Sequence, residues 1–295
     1  MPRPSAIGIG VALVVAAASH VTARQARTRT VYVSVVTARH APVTDMAPGE
    51  FVIKEDGRRR PIARVERATA PMQIALMLDD GGLALGAIRQ GAGQFIYTLQ
   101  GKGEFSIVTI GARNLTLVDF TSDVPQLYAG LRKLLPRSTM PTYLLDGFLE
   151  VTKGFERREA QRAIIVAVAS ETEELSDVRA PVVLDALRKS RATLYYIGLG
   201  FPVTQGYRPA LSADRPESST VYETANRNAV LGAAPENSGG RSEQALQPTG
   251  VPFLMQQFAD ELAAQYAVTY EALVPGAKLR FETTRKGVTV RGPAH

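Results

Sequence analysis

The sequence predicts a three-layer, Rossmann-like α/β domain inserted in a small β-sandwich-like domain formed by both chain ends. Three observations carry that prediction. The apolar runs from Ile74 to Leu78 and from Ala163 to Val168 read as strands buried on both faces of a parallel sheet. Around them, apolar residues return at steps of three and four, the period of an amphipathic helix. Short β-branched segments cluster at the two chain ends, and neither end has enough strands to bury a core alone.

Taken in order, Thr30 to Val36 (TVYVSVV) is β-branched and reads as a strand. Phe51 to Glu55 is a second strand, closed by the Asp56-Gly57 turn signal, and Pro61 to Arg67 is a third. The run from Ile74 ends in Asp79-Asp80-Gly81-Gly82. Leu85, Ile88, Ala92, Phe95 and Leu99 then mark a helix. Phe105 to Ile110 and Leu115 to Phe120 read as a strand pair joined by a gap short enough for a hairpin. Leu144, Phe148, Val151 and Phe155 mark the next helix, Pro181 to Ser190 another with proline in its first turn, and Thr193 to Ile197 a strand. Leu254, Phe258, Leu262 and Tyr266 mark a last helix, and Tyr266 to Tyr270, Lys278 to Thr283 and Gly287 to Val290 are strand-like. Tyr266 and Tyr270, half-polar aromatics, are expected to pack between the two domains.

The expected divisions are a leader over 1–23, a small β-domain from 24–70 with 265–295, and the α/β domain over 71–264. Residues 202–250 are rich in Pro, Ser, Gly, Asn and Thr. They read as a long irregular connection with room for a short helix near Ala225 to Ala234.

Composition removes much chemistry. The chain has 295 residues, no Cys, no Trp and three His. Disulfides, thiolate zinc sites, iron–sulfur clusters and cysteine nucleophiles are excluded. His20, His40 and His295 lie far apart in sequence, which argues against a catalytic triad or a multi-histidine metal site.

Arg3, the apolar stretch from Ala6 to Ala18 and Val21-Thr22-Ala23 form a signal-peptide pattern, with cleavage expected after Ala23. That stretch is well short of the ~20 residues that span a bilayer, and no later segment is long and uncharged enough to do so. The mature chain is therefore expected to be exported, periplasmic or extracellular. The net charge of +6 is concentrated between Arg24 and Thr69 and includes Arg58-Arg59-Arg60, which reads as a solvated hairpin end. No aromatic residue interleaves with that run, so nucleic acid is not an expected partner.

An apolar strand ending in Asp at the start of an α/β domain resembles the von Willebrand factor A domain, and the order of elements agrees. The flanks resemble a branch of that family common in acidobacteria: VYVSVVTARHAPVTDMAPGEFVIKEDG from Val31 to Gly57, and ELAAQYAVTY from Glu261 to Tyr270. The resemblance implies a von Willebrand A-type domain and a metal-ion-dependent adhesion site. Its magnesium would be held by an Asp-x-Ser-x-Ser strand end, a Thr and a second Asp. Asp79 matches the first Asp and Thr142 the Thr, whereas Gly81, Leu83 and Ala169 stand at the other three positions. Magnesium requires an octahedral oxygen shell, so two surviving ligands are expected to hold it poorly. The expectation is a degenerate site with no metal and no cofactor. The weaker alternative is magnesium in a shifted site rebuilt from Asp80, Ser170 or Glu171.

Loops at the carboxyl ends of parallel strands gather on one edge, where open α/β folds bind ligands. Asp79, Asp80, Thr142, Ser170 and Glu171 are therefore the candidate binding residues, with no catalytic residue among them. The acidic run Glu171, Glu173, Glu174 and Asp177 reads as a solvated helix start. The function expected is an exported, non-enzymatic protein-binding module with an unknown protein partner. The alternatives are a divalent-metal-assisted hydrolase, or a structural subunit of a secreted or envelope assembly.

Overall fold

The computed structural model describes residues 27–80, 84–111, 114–136, 142–170, 174–200, 217–273 and 276–294. The signal-peptide segment lies outside the described residues.

Two sheets from the chain ends face each other. In the first, β1 (Arg27–Thr37) lies between β11 (Tyr266–Ala272) and β13 (Val288–Arg291), with β4 (Ile62–Arg67) on the far side of β11. The first half of β1 pairs with β11 and its second half with β13, both antiparallel. In the second sheet, β2 (Phe51–Glu55) lies between β12 (Leu279–Thr283) and β3 (Arg58–Arg60). The β2–β3 hairpin turns on Asp56 and Gly57, whose φ angles of 48° and 78° are the left-handed values a tight two-residue hairpin needs. The Arg58–Arg60 run is thus a strand as well as a solvated end. Alternate residues of both sheets, among them Val33, Ile53, Val268 and Leu279, form one buried cluster, which makes this body a β-sandwich.

Tyr266 opens β11 and does not continue the last helix, which stops at Ala263, and both Tyr266 and Tyr270 belong to that cluster and do not pack between bodies. The Tyr266 ring meets Phe51 edge-on at 5.3 Å, and its hydroxyl accepts from Met46 N (3.0 Å) and donates to Val43 O (3.1 Å). The loop after β1 supplies the polar partners, so the sandwich can bury the whole tyrosine.

The remaining strands form a six-stranded sheet in the order β10-β9-β8-β5-β6-β7. These are β5 (Met72–Asp79), β6 (Gly103–Ile110), β7 (Leu115–Thr121), β8 (Ala163–Ser170), β9 (Thr193–Leu199) and β10 (Arg241–Ala245). All pairs are parallel except β6–β7. Every residue of β8 is buried, as expected for a strand covered on both faces. Helices α1 (Leu85–Leu99), α2 (Val124–Arg132) and α6 (Gly250–Ala263) cover one face. Helices α3 (Leu144–Arg157), α4 (Ala180–Ser190) and α5 (Glu217–Asn237) cover the other. At the α1–α6 contact Gly91 lets the helices close up, since a Cβ there would stand 2.9 Å from Met255 Sδ and 3.1 Å from Pro252 Cα.

Two features differ from the sequence reading. The stretch expected to be irregular over 202–250 contains α5 and the edge strand β10. Its periodicity is weak because α5 buries only a few positions, Val230 and Ala234 among them, and β10 buries only its two ends. Helix α2, started by Asp123 accepting from Gln126 N at 3.1 Å, was not expected at all.

Candidate functional site

The strand order reverses direction between β5 and β8, and the carboxyl ends of these two strands form the crevice where such sheets bind ligands. Parallel pairing sets Leu78 opposite Val168, so Asp79, one residue on, and Ser170, two residues on, finish neighbouring strands. The Asp79 carboxylate, through one oxygen, accepts from Ser170 N at 2.7 Å and from Ser170 Oγ. Ala169 is buried in the core under α3 and α4, so Ser170 is the β8 residue that meets Asp79.

A second knot lies beside the first. Thr142, just before α3, pairs by a parallel bridge with Glu174, and Leu175 N donates to Thr142 O at 2.7 Å. The Glu174 carboxylate takes Ser176 Oγ at 2.5 Å and Ser176 N at 3.2 Å on one oxygen, and the Thr142 hydroxyl at 3.5 Å on the other. Ser176 Oγ also accepts from Asp146 N at 3.0 Å, tying the knot to the first turn of α3. Burial pushes the Glu174 carboxyl above its ordinary range, against the opposing pull of the Ser176 hydrogen bonds and the nearby Arg227 charge.

Arg227, from α5, closes the cluster. Its guanidinium donates to Ser170 O at 2.7 Å and to the Tyr196 hydroxyl at 3.1 Å. Asp80 turns the other way, toward β6. A Cβ on Gly111 would stand 2.9 Å from Asp80 Oδ1, so only glycine leaves the carboxylate its place.

The structure therefore brings Asp79 and Ser170 into contact, seats Thr142 beside them with Glu174, and places Asp80 against β6. All four candidates are buried, with 2–4% of their surface exposed. Glu171, Gly81 and Leu83 lie outside the described residues. Glu174 corrects the reading of the acidic run as a solvated helix start, because it is 2% exposed. Four acids close together in sequence carried no sign of which one faces inward. Arg227 had no sequence signal, lying in the stretch read as irregular.

The resemblance implies a magnesium ion at this rim. Among the described residues no group of three carboxylate or imidazole side chains is placed to hold a metal ion. Asp79 already accepts two hydrogen bonds from Ser170, and the Ser170 carbonyl is already engaged by a guanidinium. A second cation beside buried Arg227 would meet like charge in a poorly screened setting. Among the described residues, few side-chain oxygens at the rim are therefore left to build the octahedral shell of a magnesium ion.

No family model matches the sequence, and no curated protein matches it. Solved structures do match in fold. The chain is similar to an aerotolerance-related membrane protein from Bacteroides fragilis, at 13% identity and TM-score 0.44 over 65% of this chain and 98% of that one. It is similar to the vWF domain of the type V pili tip protein Mfa5 from Porphyromonas gingivalis, at 13% identity and TM-score 0.47 over 65% and 95%. It is also similar to a von Willebrand factor type A protein from Catenulispora acidiphila, at 9% identity and TM-score 0.48 over 90% and 72%. By its strand order and its layers, the α/β body is a doubly wound three-layer fold, the architecture implied by the resemblance to the von Willebrand A domain.

Proposed function

We propose that this chain is an exported, non-enzymatic protein-binding module whose α/β rim engages a protein partner without a divalent ion. The observation that carries the reading is the hydrogen-bonded closure of the rim. One Asp79 oxygen accepts from Ser170, Glu174 accepts from Ser176 and Thr142, and Arg227 supplies the positive charge from within. Carboxylates used in this way brace loops; a hydrolase needs them presented to substrate and water. Asp79, Thr142 and Ser170 then hold the rim in shape, and the carboxyl-end edge of the sheet around them, with Asp80, provides the contact. The leader pattern before Arg24 supports export, and the end motifs support assignment to the branch common in acidobacteria.

Two measurements test this reading. Calorimetry with magnesium, manganese and calcium is expected to give dissociation constants weaker than about 1 mM, which corresponds to ~4 kcal/mol or less. Micromolar binding abolished by Asp79→Ala would overturn it. Capture from the native exported fraction is expected to recover one stoichiometric partner that survives chelator and is lost with Arg227→Ala. Loss of that partner on chelation would instead restore a metal-dependent site.

A further inference from the structure

At the opposite end of the α/β sheet a cavity of about 380 Å³ opens between β1 of the sandwich and the C-terminal ends of α4 and α5. That volume is within the range of small-molecule sites, and junctions between bodies are a usual place for them. The wall is largely apolar, with Val31, Ile164, Leu187 and Ala233 among its residues, and it also carries Arg29, Arg162, Arg188 and Arg191 against a single acid, Asp185. Asp185 is already paired with Arg188 at 2.6 Å and with Lys189 at 2.7 Å. Arg188 and Arg191 also have an ordinary place, close to the negative end of the α4 dipole.

Arg162 has no such explanation. It is 4% exposed, and its acceptors among the described residues are all neutral: Ala70 O at 3.2 Å, Leu262 O at 2.9 Å and Gln265 Oε1 at 2.7 Å. Its Nε has no acceptor, and the Tyr32 ring lies 5.1 Å from its guanidinium carbon. Among the described residues no carboxylate pairs with it. Burial lowers this guanidinium to about 10, the direction expected where no negative charge offsets the loss of water. A buried charge is costly unless it is paired.

We propose that this cavity binds a small monocarboxylate with an apolar chain, the carboxylate balancing Arg162 and the chain lying on the apolar wall. Arg188 and Arg191 are exposed, so solvent balances them, and Arg29 is half-buried; the one fully buried guanidinium of the wall, Arg162, calls for one negative charge. A phosphate monoester, with ≈ −1.5 to −2 at neutral pH, would overcompensate it. The site is separate from the rim and holds or fails independently of the protein-binding reading.

Calorimetry on the full chain tests the site, with decanoate as the probe and 1-decanol and decyl phosphate as comparisons. Decanoate is expected to bind one site with a dissociation constant below about 100 µM, where most of a drug-sized ligand's surface is buried. Decanol and decyl phosphate are each expected to bind at least ~10-fold more weakly, a difference of about 1.4 kcal/mol. Arg162→Met is expected to remove the preference for decanoate over decanol. Because that variant also loses three hydrogen bonds, Ala233→Trp provides a second test. It fills the cavity from a half-buried position on α5 and is expected to weaken decanoate at least ~10-fold. Equal binding of decanol, tighter binding of decyl phosphate, unchanged binding in Ala233→Trp, or no binding of decanoate would each overturn the proposal.

Discussion

Two buried cationic clusters join the sandwich to the α/β body, and they handle their charge in opposite ways. In one, the fully buried Glu261 carboxylate of α6 accepts from Arg241 of β10 at 3.2 Å, from Arg291 of β13 at 3.2 Å and from the Tyr195 hydroxyl at 3.1 Å. Gln257 takes a further Arg241 nitrogen at 3.1 Å, and the Arg241 guanidinium lies 4.6 Å from the Phe258 ring centre. In the other, Arg162 grips two carbonyls and an amide, with no acid beside it among the described residues. Both clusters span the junction, because Gln265 in turn donates to Ser34 Oγ of β1 at 3.1 Å. Burial and hydrogen bonding are therefore similar, and charge balance separates a fastening from a place that can accept an anion.

The comparison is broken most sharply by removing the shared acid. Glu261→Ala takes the carboxylate from half-buried Arg291 and leaves buried Arg241 with Glu243 alone, and breaking a buried ion pair costs roughly 3–5 kcal/mol. Urea unfolding measures this, and a loss below about 1 kcal/mol would mean that the cluster is solvated and not a fastening. Arg162→Met is expected to cost less, about 1–3 kcal/mol, from three stranded acceptors offset by the removal of an unpaired charge. A cost above that of Glu261→Ala would reverse the order and make Arg162 a fastening first.

Much of this architecture was legible in the sequence, and the illegible parts share a physical cause. The fully buried strands β5 and β8 and the helix α1 announce themselves because burial on a whole face enforces a period. The end strands were legible as strands, and the need to cover each other's apolar faces implied their pairing. By contrast, β10 reads RSEQA, and its first buried residue is Arg241, a charge that is buried only because Glu261 comes from a helix elsewhere in the chain. Arg227, Glu174 and Arg162 are illegible for the same reason. Their burial depends on partners 57, 32 and 103 residues away, Ser170, Thr142 and Gln265. At the rim, Asp79 and Thr142 could be placed from the resemblance. The hydrogen bonds that occupy them could not, since they depend on where α5 and Ser176 come to rest.

The smallest expected effect concerns protons at the paired cluster. His40, in the loop after β1, has Nδ1 2.9 Å from Arg291 Nη2, and since a guanidinium only donates, this contact requires a neutral, accepting ring nitrogen. Its Nε2 lies 3.7 Å from Glu243 Oε1, which favours the charged ring, as does Glu261. Partial burial opposes protonation most strongly, followed by the charge of Arg241, with Arg291 adding to it, and the net result is a pKa below the ordinary 6.5. The folded state therefore binds this proton less readily than the unfolded state, and stability rises with pH where the unfolded chain carries more protons. The contribution is fully present above about pH 6.5 and is lost as the pH falls below 6.5 through the lowered folded value. The ring is 39% exposed, so solvent screening keeps the effect under about 1 kcal/mol. Comparing wild type with His40→Asn by urea unfolding between pH 5 and 8 isolates it. The wild type is expected to lose more stability than the variant on the acid side, and parallel curves would show that the Arg241–Glu261–Arg291 cluster does not sense His40.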